Sequence, residues 1–465
     1  MSPSHPDDTP DTPDTPPMTK PAPSWSPIPF IPLVLCLALL GPLLAACAPF
    51  GGGEAPGRPA SAAVANQPAG APAAPAAPGA PAPAPGAITE RSLVGTVSPA
   101  DTDAATRHFY VYGNALPAQY AVDWYRVRFI TTDGLGNALP VTAQVLVPRL
   151  QETAELPLYV FAAGTTGLGA DCAPSREQPL ERDWGDFEAH LLSHASRGYI
   201  AVMPDYAGFD DQARHQYYYV AEMHAHVLLD AARATNQLFQ AGGVAGGARP
   251  QNAVFFAGYS QGGHAAFVAR DYAPRYAPEL AVKGAIAYGG RGDVSTLFTE
   301  FPSLGPYLLY AYSKYYGADK VDPARYLLPR WMPTLEEDVT TMCIDEVPGY
   351  YGDDPRAIYR PEFLDALRGG RLAQEFPVIK GLLDQNSADP GPKDVPVLFL
   401  QGMADTIVRP QTSHAYLRAV CDAGGIATYL TFEDIPHVLT RQVSYRETLQ
   451  WMGNILQGRK PPSDC

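Results

Sequence analysis

Short apolar runs alternate with amphipathic stretches along most of the chain. Apolar runs bounded by glycine, proline or polar residues predict β-strands at Tyr120–Thr131, Leu139–Pro148, Leu158–Ala162, Tyr199–Met203, Ala253–Ala257, Val282–Ala287, Val395–Leu400 and Thr428–Phe432. Apolar residues spaced three and four apart predict helices at Trp184–Arg197, Tyr218–Gln240, Gly262–Arg270, Pro410–Val420 and Thr440–Ile455. Strands that alternate with helices predict an α/β fold, in which a mostly parallel sheet is covered by helices on both faces.

The segment between the strands Val282–Ala287 and Val395–Leu400 breaks this alternation. It is rich in tyrosine and too long for a structureless loop. We therefore expect a helical cap at about residues 294–390, inserted between the late strands of the sheet. Ordinary core packing and an apolar tunnel for an acyl chain explain its tyrosine rings equally well.

The first 90 residues differ in composition from the rest of the chain and are interpreted as a targeting segment followed by a tether. The apolar run Ile28–Leu44 is interrupted by prolines and is shorter than the roughly 20 apolar residues of a membrane span. It is typical of a signal-peptide core, so residues 1–46 are predicted to be a signal peptide. The run ends in Leu44-Ala45-Ala46-Cys47, which looks like a bacterial lipobox with Cys47 as the lipidated residue. The alternative is an ordinary signal peptide with a chance cysteine.

Residues 47–90 are dominated by alanine, proline and glycine, a composition typical of a semi-extended tether. The folded domain is then expected at residues 91–465, held at a membrane surface outside the cytoplasm. Acidic residues precede the apolar run, whereas a signal peptide should begin with positive charge. Met18 is therefore the suspected true start.

Charge and cysteine usage narrow the class of protein. With 33 Lys+Arg against 48 Asp+Glu, the formal net charge is −15, which argues against a nucleic-acid partner. The six cysteines form no CxxC pair of the kind that binds zinc or carries out redox chemistry. We expect no metal site.

The pentapeptide Gly258-Tyr259-Ser260-Gln261-Gly262 matches GxSxG between a predicted strand and a predicted helix. Strand, sharp turn and helix are the context of a nucleophile elbow, which exposes the serine hydroxyl on a strained turn. The helix N-terminus directs N–H groups at developing negative charge. Ser260 is therefore the predicted nucleophile, and a structural serine in a glycine turn is the alternative.

A serine hydroxyl needs a base to take its proton, and in this kind of fold the order is serine, acid, histidine. His437 follows the strand Thr428–Phe432 in a loop at its carboxyl end, so it is preferred as the base over His414, which lies within a helix. Asp405 directly follows a buried strand and is the predicted acid.

Two other carboxylates compete with Asp405 for the acid role. Asp293 follows the preceding strand and is the runner-up, whereas Asp394 precedes its strand and would lie at the wrong edge of the sheet.

An oxyanion hole in such a fold takes one N–H from the residue after the nucleophile and one from the loop after the third strand. The first donor is predicted to be Gln261. The second is expected from Gly164-Thr165-Thr166-Gly167, with Thr165 the preferred residue and a simple glycine turn the alternative.

These motifs resemble the secretory lipase family, which includes the fungal lipase-A type. The resemblance rests on Ala163-Gly164-Thr165-Thr166-Gly167, on Cys172-Ala173-Pro174-Ser175 and on Gly258-Tyr259-Ser260-Gln261-Gly262-Gly263. It implies an α/β-hydrolase fold with a helical cap, and hydrolysis of acylglycerols and other carboxylic esters without a cofactor. It also places Ser260, Asp405 and His437 at the triad positions and implies the disulfides Cys172–Cys343 and Cys421–Cys465.

Two other functions stay open at this point. A serine peptidase or aminoacyl hydrolase could use the same triad, because the fold does not determine the substrate. It would need an acidic anchor for an amine, for which Asp353-Asp354 is the obvious candidate in the cap. A non-catalytic surface binding module is the third hypothesis, and such a protein would have no reason to keep a triad aligned.

Overall fold

A computed structural model describes residues 83–110, 115–178, 184–211 and 214–465. These residues belong to one unit, Ala77–Cys465. The predicted signal peptide, Cys47 and most of the predicted tether lie outside the described residues.

A nine-stranded sheet forms the centre of the described chain, with strand order β1-β2-β3-β5-β4-β6-β7-β8-β9. Strands β1 to β3 pair antiparallel, β3 pairs antiparallel with β5, and all later pairs are parallel. The strands are β1 Ile88–Val97, β2 Val122–Thr132, β3 Ala138–Pro148, β4 Ala154–Ala162, β5 Ile200–Pro204, β6 Ala248–Tyr259, β7 Val282–Tyr288, β8 Val397–Gly402 and β9 Ala427–Phe432. The prediction of a mostly parallel α/β sheet is confirmed.

Helices cover the sheet and continue its alternating pattern. They are α1 Pro99–Thr106, α2 Phe187–Ala195, α3 Ala221–Gln240, α4 Gln261–Tyr276, α12 Pro410–Asp422, α13 Thr440–Val443 and α14 Tyr445–Leu456, with the helices of the inserted segment given below. Neighbouring strand residues point to opposite faces of a sheet. Gly284 of β7 faces Trp451 of α14, whereas Ala285 packs with Phe267 of α4, so these two helices lie on opposite faces.

The segment between β7 and β8 is helical, as the length argument predicts. Its helices are α5 Leu297–Glu300, α6 Gly305–Tyr316, α7 Leu335–Thr341, α8 Val347–Tyr351, α9 Pro361–Arg368, α10 Leu372–Glu375 and α11 Pro377–Asn386. Short 3₁₀ turns occur in this segment at Val294–Thr296, Pro302–Leu304, Pro323–Arg325, Pro329–Trp331 and Pro355–Ala357, and elsewhere at Ala170–Cys172, Pro174–Arg176 and His437–Leu439. We call residues 294–390 the cap.

The cap tyrosines are mainly packing residues. Tyr307, Tyr312 and Tyr359 are buried. Their hydroxyls donate to the backbone carbonyls of Met342, Tyr219 and Pro302 respectively. A buried hydroxyl needs such an acceptor, since an unpaired polar group in a core is costly. The contacts favour core packing over a tunnel lining for these three rings.

The structure differs from the sequence-based elements at several boundaries. Strand β1 begins at Ile88, within the last residues assigned to the tether, and neither β1 nor α1 was predicted. The predicted helix Tyr218–Gln240 begins instead at Ala221, after Tyr219 adopts a φ of 52°. The predicted C-terminal helix is divided at Ser444 into α13 and α14.

Two disulfides join distant parts of the described chain, Cys172–Cys343 and Cys421–Cys465. Both pairings agree with those implied by the resemblance. The first joins the loop after β4 to the cap, and the second joins the chain end to α12. Among the described residues, no helix combines the length and apolar character needed to cross a bilayer.

Candidate active site

Ser260 occupies a sharp turn between the end of β6 and the start of α4. Its backbone has φ 55° and ψ −113°, in the left-handed region that non-glycine residues rarely adopt. Such strain persists only where the surroundings enforce it. Here the Ser260 amide donates to the Tyr288 carbonyl at 3.0 Å, and the Gly263 amide donates to the Ser260 carbonyl at 3.0 Å. The turn has the geometry of a nucleophile elbow.

Glycines next to Ser260 allow this turn to form, because neighbouring backbone lies against them. A Cβ on Gly258 would lie 2.0 Å from the Gly262 carbonyl oxygen. A Cβ on Gly262 would lie 2.0 Å from the Ala162 carbonyl oxygen, and one on Gly263 would lie 2.6 Å from the Gly290 Cα. Helix α4 can therefore approach β4 and β7 only with glycine at these positions.

His437 and Asp405 form a buried pair. Asp405 Oδ2 lies 2.7 Å from His437 Nδ1. The other carboxylate oxygen, Oδ1, accepts hydrogen bonds from the Ile407 and Val408 amides, both at 2.8 Å. These two amide donors fix the orientation of the carboxyl group. The pair can therefore hold one imidazole tautomer, with the proton on Nδ1.

The second ring nitrogen of His437, Nε2, has no hydrogen-bond partner among the described residues. It is therefore available to accept a proton. The Tyr259 ring lies beside the imidazole, with 4.9 Å between ring centroids. Since Tyr259 precedes Ser260 directly, the elbow and the histidine loop are in contact at this point.

Arg291 secures the turn that carries Asp405, and sequence reasoning did not identify it. The guanidinium is buried, and its Nη2 donates to the Ile407 carbonyl at 2.8 Å. Its Nη1 donates to Thr296 Oγ1 at 2.8 Å, at the start of the cap. Arg291 thus connects the cap to the acid turn. Its only sequence signal is a basic residue between two glycines directly after a buried strand.

The loop after β4 carries Thr165 and packs against the elbow. A Cβ on Gly164 would lie 2.7 Å from the Tyr259 ring. The Ala163 carbonyl accepts from the Tyr206 hydroxyl at 2.7 Å, and the Thr165 hydroxyl lies 2.9 Å from that of Tyr218. These contacts hold the loop next to Ser260.

The cap completes the support of this loop. The Ile344 amide donates to the Thr166 carbonyl at 2.9 Å, and the disulfide Cys172–Cys343 adds a covalent connection. Gln261, the other predicted donor residue, is the first residue of α4. Both predicted oxyanion residues therefore lie on segments that adjoin the elbow.

The residues that the sequence offered as alternatives, for the triad and for an amine anchor, have no contact with His437 among those described below. His414 and Asp394 are exposed, and Asp293 is exposed and accepts hydrogen bonds from the Ser295 amide and hydroxyl. In the cap, Asp353 and Asp354 are exposed, and Asp354 pairs with Arg356 at 2.8 Å. None of these contacts connects them with His437.

Comparisons with known proteins show which proteins this chain is similar to. A family model described as secretory lipase matches residues 186–303. Lipase A of Arthroderma benhamiae is 25% identical over 365 residues, which cover 73% of this chain and 72% of that protein. The esterase LipA of Xanthomonas oryzae, described as rice cell wall degrading, superposes with a TM-score of 0.64 at 16% identity. That match covers 81% of this chain and all of the other. The chain has an α/β-hydrolase fold and is similar to the secretory lipases.

A second solved structure supports the same fold. Candida antarctica lipase A in its closed state gives a TM-score of 0.59 at 20% identity, covering 82% of this chain and 84% of the other. The resemblance drawn from the sequence motifs is confirmed, and so is the enzyme class, a carboxylic ester hydrolase.

Proposed function

We propose that the hydrolase is an exported serine esterase or lipase that uses Ser260 as nucleophile, His437 as base and Asp405 as the residue that orients the base. The observation that carries the proposal is the 2.7 Å contact between Asp405 Oδ2 and His437 Nδ1, in a histidine whose ring lies against Tyr259, the residue before the strained Ser260. A structural serine would not need this backbone strain.

The reaction has two halves. Ser260 Oγ attacks the ester carbonyl carbon while His437 Nε2 takes the hydroxyl proton. The tetrahedral intermediate then collapses, the carbon–oxygen bond to the alcohol breaks, and His437 gives its proton to the leaving oxygen. Water repeats the sequence on the acyl-enzyme, which releases the acid and restores Ser260.

Backbone N–H groups of Gln261 and Thr165 would bind the oxyanion. In measured cases, one such donor contributes about 3–4 kcal/mol to transition-state stabilisation. The Gln261 amide is at the N-terminus of α4, where the helix dipole adds to the hydrogen bond. The proposed reaction requires no cofactor.

The substrates we propose are carboxylic esters, acylglycerols among them. The names of Lipase A and of the esterase LipA support an ester substrate of this general kind. The match to a secretory lipase model favours export. We further propose that acylated Cys47 anchors the hydrolase to a membrane through the tether.

The experiment is hydrolysis of p-nitrophenyl esters of increasing acyl length by the full chain, compared with Ser260→Ala. Ester turnover that is lost in the variant supports the proposal, and the best acyl length indicates the size of the acyl pocket. An aminoacyl anilide is assayed alongside. Turnover of the anilide above that of every ester would favour a peptidase instead.

If folded Ser260→Ala keeps wild-type ester turnover, the serine mechanism is wrong.

The membrane anchor is tested separately, by incorporation of labelled fatty acid into the wild type and into Cys47→Ala expressed in a bacterium. Equal labelling of both would contradict acylation at Cys47.

A further inference from the structure

The side chain of Gln261, the residue that follows the nucleophile, donates a hydrogen bond to a histidine of α3. Gln261 Nε2 lies 3.3 Å from His224 Nε2. Both side chains are buried, with 0% and 1% of their surface exposed. The contact joins residues 37 positions apart, in two different helices. The proposed reaction assigns no role to the Gln261 side chain or to His224.

The rings around His224 leave it little freedom to move. Its centroid lies 4.8 Å from that of Tyr206, 5.6 Å from that of His264 and 6.1 Å from that of Tyr219. Tyr206 is itself fixed, because its hydroxyl donates to the Ala163 carbonyl in the loop that carries Thr165. His224 is therefore held in place by the segment that bears the second proposed oxyanion donor.

His264 lies in α4, about one turn after Gln261, and restrains that helix as well. Its Nε2 lies 2.7 Å from the carbonyl oxygen of Asn386, the last residue of cap helix α11. The Asn386 side chain in turn accepts from the Ala221 amide at 2.9 Å, at the start of α3. The first turn of α4 is thus bonded to α3 at Gln261 and to the cap at His264.

A neutral imidazole suits this role. Burial and the nearby His264 lower the pKa of His224 well below its usual value. The ring therefore stays uncharged at neutral pH and can bond an amide without bringing an unpaired charge into the core. The groups that face it are the Gln261 amide and the rings of His264, Tyr206 and Tyr219, and burial also lowers the pKa of His264, to about 4.

We propose that His224 is a positioning residue that fixes the Gln261 side chain and thereby the backbone N–H of Gln261, which binds the oxyanion. This inference rests on the proposed serine mechanism. A loss of that bond would let the first residue of α4 shift. A displacement of about 1 Å in such a site can lower a rate about 100-fold.

The test compares His224→Phe, His224→Gln and Gln261→Leu in the full chain. The readouts are the acylation rate constant in a p-nitrophenyl ester burst and the substrate concentration at half-saturation. We expect His224→Phe to lower acylation about 10- to 100-fold with little change in half-saturation, since the oxyanion forms only after binding. His224→Gln keeps a hydrogen-bonding amide and should recover much of the rate.

The double variant His224→Phe/Gln261→Leu separates positioning from general damage. If His224 acts through Gln261, the double variant is no slower than the slower single variant. If the two effects multiply, or if folded His224→Phe acylates at the wild-type rate, the inference is wrong. Should His224→Phe fail to fold, Gln261→Leu removes the same bond and carries the test.

His226→Phe is the matched control on the same helix. His226 lies on a different face, where its Nδ1 is 2.8 Å from the Thr132 carbonyl oxygen and its ring stacks on Tyr276. This variant should lose stability and keep the wild-type acylation rate. Ser260→Ala shows whether a negative result concerns the serine mechanism or the role of His224. If ester turnover survives in Ser260→Ala, the serine mechanism itself is wrong.

Discussion

At the scale of single residues, the candidate site depends on the orientation of one imidazole. Asp405 accepts hydrogen bonds from the Ile407 and Val408 amides at Oδ1, while its Oδ2 contacts His437 Nδ1 and accepts a longer bond from Gln401 Nε2. An asparagine at 405 would accept the same amide bonds through its oxygen and present its NH₂ group to the histidine. The imidazole would then carry its proton on Nε2, where it cannot accept a proton from Ser260.

We therefore expect Asp405→Asn to lower kcat on p-nitrophenyl esters by about 10³- to 10⁴-fold, with a smaller change in KM. Steady-state kinetics and a melting curve provide the measurement. Asp293→Asn is the matched control, because Asp293 only caps an exposed turn. Wild-type kcat in folded Asp405→Asn, or an equal loss in Asp293→Asn, would contradict the assignment of the acid.

Gly289 provides a second test at this scale. Its φ is +56°, and an added Cβ would lie 2.9 Å from His437 Nδ1 and 3.1 Å from Asp405 Oδ2. We expect Gly289→Ala to separate the two side chains and to lower kcat at least 10-fold. A methyl group at positive φ should also cost about 1 kcal/mol of unfolding free energy.

Gly136 is the control for backbone strain alone. It has φ +80°, and nothing lies within 4 Å of its added Cβ. Gly136→Ala should lose comparable stability in urea denaturation while its ester turnover stays at the wild-type level. If both variants lose stability and neither loses activity, the contact of Gly289 with the His437–Asp405 pair does not matter for the reaction.

The sequence could predict only those site residues whose signal is local. Ser260, Asp405 and His437 each follow the carboxyl end of a strand that the apolar pattern marks, so a motif or its order along the chain could find them. Arg291 and His224 act through contacts with Ile407 and Gln261, across 116 and 37 positions. No local pattern encodes such a pairing, and only the fold brings the partners together.

At the scale of elements, the two disulfides support different parts of the fold. Cys172–Cys343 closes 171 residues and joins the loop after β4, in which Thr165 lies, to the cap, whereas Cys421–Cys465 closes 44 residues at the far edge of the sheet. The chain end also covers the edge strand β9. There the Asp464 amide donates to the Ala427 carbonyl at 2.8 Å, and the Tyr429 amide donates to the Asp464 carboxylate at 2.6 Å.

We expect paired serine substitutions at either disulfide to lower the unfolding free energy by about 2–5 kcal/mol, with the larger loss for the longer loop. Only Cys172→Ser/Cys343→Ser should also lower kcat, by about 10-fold, because it releases the loop that carries Thr165. Ester kinetics below the melting transition make the comparison. Equal kcat in the two double variants would show that the disulfide to the cap does not support the loop that carries Thr165.

The apolar pattern predicted the buried elements and failed at the exposed ones. Strand β1 pairs only with β2, and most of its residues are exposed, so its sequence shows no alternation between a core face and a solvent face. The helix boundaries moved for a related reason. Asp186 and Tyr219 each have a φ of 52°, which is not helical, so α2 and α3 can begin only after them. Neither residue is a glycine, so the sequence does not mark these turns.

At the scale of the whole molecule, buried ionisable groups give stability a pH dependence. Burial raises the pKa of Glu177 and Asp205 to about 7 and that of Asp271 to about 8, against 4.5 or 3.8 as the ordinary values. The unfolded chain releases these protons near pH 4 and the folded chain only near pH 7 to 8. Each group therefore favours the unfolded state increasingly as the pH rises across that interval.

Buried histidines act in the opposite direction over a lower interval. Burial lowers the pKa of His194 and His264 to about 4, against an ordinary value of 6.5. The unfolded chain binds protons on them below pH 6.5 while the folded chain does not, so stability falls as the pH decreases from 6.5 to 4. The two sets of groups offset each other in that range. As the pH rises beyond the ordinary pKa of histidine, the effect of these carboxyl groups on stability is no longer offset by these histidines.

We therefore expect the unfolding free energy of the full chain to fall between pH 6.5 and pH 8.5, as measured by urea denaturation. Asp271 should contribute most above pH 7, because its pKa is the highest of the three carboxyl groups and its Oδ2 has no hydrogen-bond partner among the described residues. Asp271→Asn cannot ionise, so its stability should change less over the same interval. A wild type that is as stable at pH 8.5 as at pH 6.5 would show that these carboxyl groups are ionised in the folded state at little cost.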